Sequence, residues 1–160
     1  MSGFGGDWRY LSREGPSTYD NDGLTPTFTV PDREVWHLLS IWIEYTASDS
    51  AATRQIRVRV QDDTNDVIME MVPGVTVVAS QVRFFHMYPG AVDLTSARDS
   101  DLITTPIPAG LILRPQWDLV VMEESSGDTT DSDIMLTQLF YAKQAVLTTD
   151  GATPFTSDNP

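Results

Sequence analysis

The chain has 160 residues, no cysteine and a net charge of −13, from 23 acidic and 10 basic side chains. Without Cys there is no disulfide-stapled mini-domain, no thiolate zinc site and no cysteine nucleophile, and so acidic a balance argues against a nucleic-acid backbone as partner, which needs a positive stripe. A chain of this length buries roughly 70 % of its unfolded surface as one domain, so neither metal nor disulfide is needed for folding.

No window approaches the ~20 apolar residues of a helical membrane span. Met1–Asp7 has no basic segment followed by an apolar stretch, so a signal peptide is not expected. The acidic charge reads as a solubility device, as a fit to high copy number or to a basic partner surface, or as the mark of a saline habitat.

Residues 1–26 are rich in Gly, Ser, Asp and Pro but carry Phe4, Trp8, Tyr10, Leu11 and Tyr19. Such a segment cannot build its own core. It reads as a flexible or extended arm that packs along the domain or onto a neighbouring subunit, or as a loose terminus. A β-domain is expected over 27–144, beginning with Thr27-Phe28-Thr29-Val30 and the turn Pro31-Asp32-Arg33. Val35 to Tyr45 predicts a long strand whose odd positions (Val35, His37, Leu39, Ile41, Ile43, Tyr45) face the core. Its even positions include Trp36, Leu38 and Trp42, so that face is expected to meet a second surface, either the arm or another subunit.

Gln55 to Gln61 alternates polar and apolar residues without a break, and Val67 to Val72 follows across the turn Asp62-Asp63-Thr64-Asn65-Asp66. This pattern predicts a hairpin with one wet face and one buried face. Val75–Val78 and Gln81–Tyr88 predict further strands, or one strand bent at Ala79-Ser80, bounded by Pro73-Gly74 and Pro89-Gly90. Residues 91–100 read as a loop, and Asp101-Leu102-Ile103-Thr104 as a short strand at best. Leu111–Leu113 and Trp117–Glu123 predict two strands separated by Pro115, which cannot sit inside a ladder. Glu123–Asp133 is an acidic loop, Ile134–Lys143 a last strand, and 145–160 a tail. In sum about eight to ten strands are expected, with turn signals every 8–12 residues, which predicts an antiparallel β-sandwich or barrel.

Catalytic, cofactor and metal sites are not expected. His37 and His86 have no serine in an elbow motif near them and read as partly buried, backbone-satisfied histidines. The acidic stretches 62–66 and 123–133 are rich in oxygen ligands, but neither fits the EF-hand spacing; they read as solvated turns, with a structural calcium as the alternative. A glycosidase pair of carboxylates needs a separation of roughly 5–10 Å across a cleft, and the acidic residues here gather in turns. Of the four Trp residues, Trp36 and Trp42 fall six residues apart on one predicted strand face, roughly 20 Å at strand rise. That is long for one sugar subsite and equally suited to a subunit contact; Trp117 reads as core. Arg57 and Arg59, with Arg83 beside them, form a small cluster that either contacts an acidic neighbour or balances local carboxylates.

The segment Thr104-Thr105-Pro106-Ile107-Pro108-Ala109-Gly110-Leu111-Ile112-Leu113-Arg114-Pro115-Gln116-Trp117-Asp118-Leu119-Val120-Val121 resembles a phrase of small structural proteins of tailed-phage virions. In those proteins a Pro-x-Gly turn, a short aliphatic strand, a second turn and an aromatic-led strand follow in this order. Glu34-Val35-Trp36-His37-Leu38-Leu39-Ser40-Ile41-Trp42-Ile43-Glu44-Tyr45 is similar to their first long strand. The resemblance spans about residues 30–143, and it implies a jelly-roll domain that decorates or cements a capsid. On this reading the chain is a non-enzymatic decoration protein on the surface of a virion assembled in the host cytoplasm. It would bind the major capsid protein and itself, as a homodimer or homotrimer, with no nucleic acid or membrane partner. The contact residues expected are Trp8, Tyr10, Trp36, Trp42, Arg57 and Arg59. The alternatives are a carbohydrate- or receptor-binding module of a tail fibre or adhesin, and a tail or connector lattice protein.

Overall fold

Period-two alternation of apolar and polar residues sets the architecture. The structure is a computed structural model that describes residues 10–20, 25–92, 100–126 and 133–145. In chain order the strands are β1 (Tyr10–Asp20), β2 (Thr27–Thr29), β3 (Glu34–Thr46), β4 (Thr53–Gln61), β5 (Val67–Met71), β6 (Val77–Val78), β7 (Val82–Pro89), β8 (Leu102–Ile107), β9 (Ile112–Leu113), β10 (Asp118–Ser126) and β11 (Ile134–Ala145). They form two sheets. The larger runs β1-β11-β3-β7-β8, with β9 also against β3; the smaller runs β2-β10-β4-β5, with β6 also against β4.

Setting aside the short β6 and β9 and the edge strand β8, eight strands remain, and they pair from the outside of the chain inward. β1 pairs with β11, β2 with β10, β3 with β7 and β4 with β5, every pair antiparallel. Four nested antiparallel pairs rolled into two facing sheets are a jelly-roll sandwich. Residues 10–20, part of the segment expected as an arm, lie along β11 as the outer strand of the larger sheet.

Three features depart from the alternation read along the chain. In β3 the core row changes parity. Trp36 and Leu38 are buried in its first half, and Ile41, Ile43 and Tyr45 in its second. The register against β11 slips between Phe140 and Tyr141, whose partners are Ser40 and Leu38, so Leu39 is an extra residue on β3. A β-bulge of this kind inverts which residues face inward. The odd-face core expected for the whole strand therefore holds only from Ile41 onward, and Trp36 and Trp42 lie on opposite faces.

The second departure concerns 75–88. β6 joins β4 in the smaller sheet and β7 joins β3 in the larger one. The chain crosses between them at Ser80, whose φ of 59° is in the left-handed region. The third is β8, six residues long rather than a short stub, and parallel to β7. Pro106 sits in it on the outer edge, where no further ladder bond is needed.

The core between the sheets is built from Leu38, Ile41, Ile43, Phe85, Met87, Leu139 and Tyr141 of the larger sheet and Ile56, Val58, Val60, Leu119 and Val121 of the smaller one, all buried. The β4–β5 turn is tied by Asp62, whose Oδ1 accepts from the backbone N–H of Thr64 and of Asp66 and from the Thr64 hydroxyl. These bonds hold the Asp62 carboxyl below its ordinary range. Asn65, at φ 65°, takes the left-handed position that Asn tolerates well.

Candidate functional site

On the outer face of the larger sheet, Trp42 of β3 stands directly across from His86 of β7. Their ring centroids are 5.5 Å apart and meet edge to face. Phe84 lies 5.8 Å from Trp42 on one side, and Tyr88 lies 4.8 Å from His86 on the other. Leu136 and Phe140 of β11 flank this row, because Gln138, between them in phase, is the cross-strand partner of Trp42. All six side chains are partly buried. Burial pushes the His86 imidazole below its ordinary value, so the row is uncharged at neutral pH. The result is an aromatic strip on an acidic protein, with Glu44 of β3 across from Phe84 at one end.

Trp36 belongs elsewhere. It is 3 % exposed and stacks on Tyr141 inside the sandwich, with ring centroids 4.0 Å apart at 22°. Its Nε1 donates to Glu34 Oε2 at 2.9 Å, and Lys143 Nζ donates to the other oxygen of Glu34 at 2.9 Å. Burial raises the Glu34 carboxyl, but these two donors outweigh it and leave the group below its usual range. Trp8 lies outside the described residues, and the backbone of Tyr10 opens β1 opposite Lys143. Trp117 packs against the core, with the Arg114 guanidinium 5.6 Å above its ring.

Arg57 and Arg59 are on the outer face of the smaller sheet. Arg57 Nη1 meets Glu70 Oε1 at 2.7 Å, Arg59 Nε meets Glu70 Oε2 at 2.5 Å, and Arg57 also pairs with Glu124. Both guanidiniums are thus engaged by carboxylates of the same sheet. Arg83, expected beside them, lies on the other sheet and bonds Asp101 at 2.5 Å and the Ser100 carbonyl at 2.8 Å.

A second cluster was not singled out by sequence reasoning. At one end of the sandwich each inward row finishes in a polar residue: Ile43 is followed in phase by Tyr45, Ile56 is preceded by Arg54, Val121 is followed by Glu123, and Met135 is preceded by Asp133. The four converge. Asp133 Oδ2 accepts from Arg54 Nε at 2.6 Å and from Tyr45 Oη at 2.6 Å, while its Oδ1 accepts from the Ser48 N–H at 2.5 Å. Tyr45 Oη is also 2.5 Å from Glu123 Oε2. Arg54, wholly buried, further donates to Ser48 Oγ at 2.8 Å and to the Ala52 carbonyl at 3.2 Å. Tyr45 and Asp133 come from the larger sheet, Arg54 and Glu123 from the smaller, so the cluster bridges the two layers.

Its electrostatics follow from burial. Burial raises the Asp133 carboxyl, but bonds from Ser48, Tyr45 and Arg54 overcome that and hold it low and ionised. Burial also raises Glu123; its bond to Tyr45 works the other way, but the charge of Asp133 and a hydrogen bond with it add to the rise. The Tyr45 phenol is pushed far up by burial and by both carboxylates. The sequence signal for this cluster is phase: Arg54 and Glu123 fall on the buried parity of strands whose other members are aliphatic.

No family model and no curated protein matches the chain. Among solved structures, one titled "Structure of infectious bursal disease virus Gx strain" aligns with 88 % of this chain at 9 % identity and a TM-score of 0.32. The alignment covers 34 % of that chain, so this protein spans about a third of its length.

Proposed function

We propose that the chain is a non-enzymatic structural protein of a virion, a decoration protein that binds the major capsid protein and stabilises the shell. The observation that carries this reading is the aromatic strip Trp42–Phe84–His86–Tyr88 on an open sheet face. A strip across the exposed face of a sheet suits burial against another protein surface, where aromatic side chains concentrate at interface centres. A concave pocket, the usual small-molecule site, has a different shape. The jelly roll and the resemblance of residues 30–143 to tailed-phage virion proteins support the same reading by analogy, since jelly rolls also serve lectins.

The test is co-sedimentation of the full chain with shells assembled from the major capsid protein of the virus that encodes it. Wild type pellets with the shells, and Trp42→Ser stays in the supernatant with unchanged circular dichroism. A wild-type chain that does not pellet at micromolar concentration overturns the reading. The row of rings spaced for stacking also favours a second reading, a carbohydrate- or receptor-binding module, for which a glycan array gives hits that Trp42→Ser loses.

A further inference from the structure

Proton bookkeeping at Tyr45 goes beyond either function. The phenol has one proton, yet its oxygen lies 2.5 Å from a Glu123 oxygen and 2.6 Å from an Asp133 oxygen. If both carboxyl groups were ionised, one of these contacts would set lone pair against lone pair with no hydrogen between them. The cluster therefore needs one more proton. Asp133 is not its owner, because its two oxygens already take donors from Arg54, Ser48 and Tyr45. Glu123 has no such set: its nearer approach to Arg54 is 3.9 Å, beyond hydrogen-bond range. A protonated Glu123 donating to Tyr45, with Tyr45 donating on to Asp133, places one hydrogen in each of the two short contacts. Among the described residues the Arg54 and Asp133 charges then balance.

We propose that Glu123 carries a proton in the folded protein, and that this proton fastens the two sheets at the Tyr45 end of the sandwich, so that the closure weakens as pH rises. Among the described residues the groups facing Glu123 are Tyr45 from β3, Arg54 from β4 and Asp133, which immediately precedes β11. Arg83 of β7 is the cross-strand neighbour of Tyr45, and its charge is met by Asp101. Asp49, on the Ser48 loop, is exposed. Arg54 is the cation nearest Glu123, and it is held by Asp133.

The sign follows from linkage. In the unfolded chain Glu123 ionises near its ordinary value of 4.5, while burial keeps it protonated to higher pH in the fold. Above that ordinary value the folded state binds the extra proton, so stability is full below it and is lost as pH rises toward the folded value, by up to tenfold in the unfolding constant per pH unit.

Two measurements on the full chain test this. Urea unfolding of wild type and Glu123→Gln is followed at pH 5, 6, 7 and 8; Gln keeps the shape and a donor but cannot ionise. The expected result is a wild-type unfolding constant that climbs with pH relative to Glu123→Gln, approaching tenfold per unit over part of the range. Parallel curves overturn the proposal. Carboxyl 13C NMR of wild type needs no variant: of the six glutamates, one titrates above the ordinary 4.5. Six glutamates that all titrate at or below 4.5 overturn it as well.

Discussion

Replacing Arg54 by Met isolates what the buried ion pair does for the fold. The methionine fills most of the volume of the arginine stem but leaves Asp133, 4 % exposed, without its guanidinium partner. The bonds to Ser48 Oγ and the Ala52 carbonyl go with it. Removing one partner of a buried pair costs about 3–5 kcal/mol, because the remaining charge is stranded out of water. At this chain length that corresponds to a fall in Tm of roughly 6–20 °C. Removing both charges in Arg54→Met/Asp133→Leu strands no charge, although the Ser48 N–H loses its acceptor, so the double variant is expected to recover part of the loss. The assay is urea unfolding followed by Trp fluorescence and circular dichroism at pH 6, completing a double-mutant cycle. A single-variant loss below about 1 kcal/mol would refute the reasoning, since that is the range of a solvent-screened surface pair.

Three further outcomes are expected. Trp36→Ala removes a buried indole stacked on Tyr141 and should cost about 3–5 kcal/mol in urea unfolding, whereas Trp42→Ala, on the outer face, should cost much less. Thr137→Val should leave stability unchanged or raise it by about 1 kcal/mol, because the Thr137 hydroxyl is buried and has no hydrogen-bond partner among the described residues. His86, whose folded value lies below the ordinary 6.5, contributes stability that is present above pH 6.5 and lost as pH falls through the folded value. His86→Phe should remove that acid-side slope from a series of thermal melts.

How much could be read along the chain depended on the range of the interaction. The β4–β5 hairpin is legible because its alternation and its turn are both local, and Asp62 and Asn65 are turn residues by chemistry. The sandwich class follows from the spacing of such signals. The bulge at Leu39 is not legible: apolar residues fall on both faces of β3, Val35 and Leu39 outward in its first half and Trp42 in its second, so nothing in the residues marks where the phase flips. For the same reason Trp36 and Trp42 read as neighbours on one face when they lie on opposite ones. The assignment of β6 and β7 to different sheets turns on one left-handed residue, Ser80, a conformation that serine does not advertise. The polar cluster has a faint local signal, since Arg54 continues the buried row Ile56, Val58, Val60. Its partners lie 69 and 79 residues further on, at Glu123 and Asp133, and only the rolled topology brings them together.

The nesting of strand pairs also dictates an order of events in time. Of the four nested pairs only β4–β5 joins strands consecutive in the chain; β3 must wait for β7, β2 for β10, and β1 for β11. A nascent chain therefore offers one early hairpin while β1 and β2 stay without their partners, and its larger sheet cannot close until β11 has been made. Pairing dominated by contacts so distant in sequence folds in milliseconds to seconds rather than microseconds. Stopped-flow refolding should show that slow phase. A variant ending before β11 should remain unfolded rather than form a smaller stable domain, so that newly made chains stay sticky until β11 has been made.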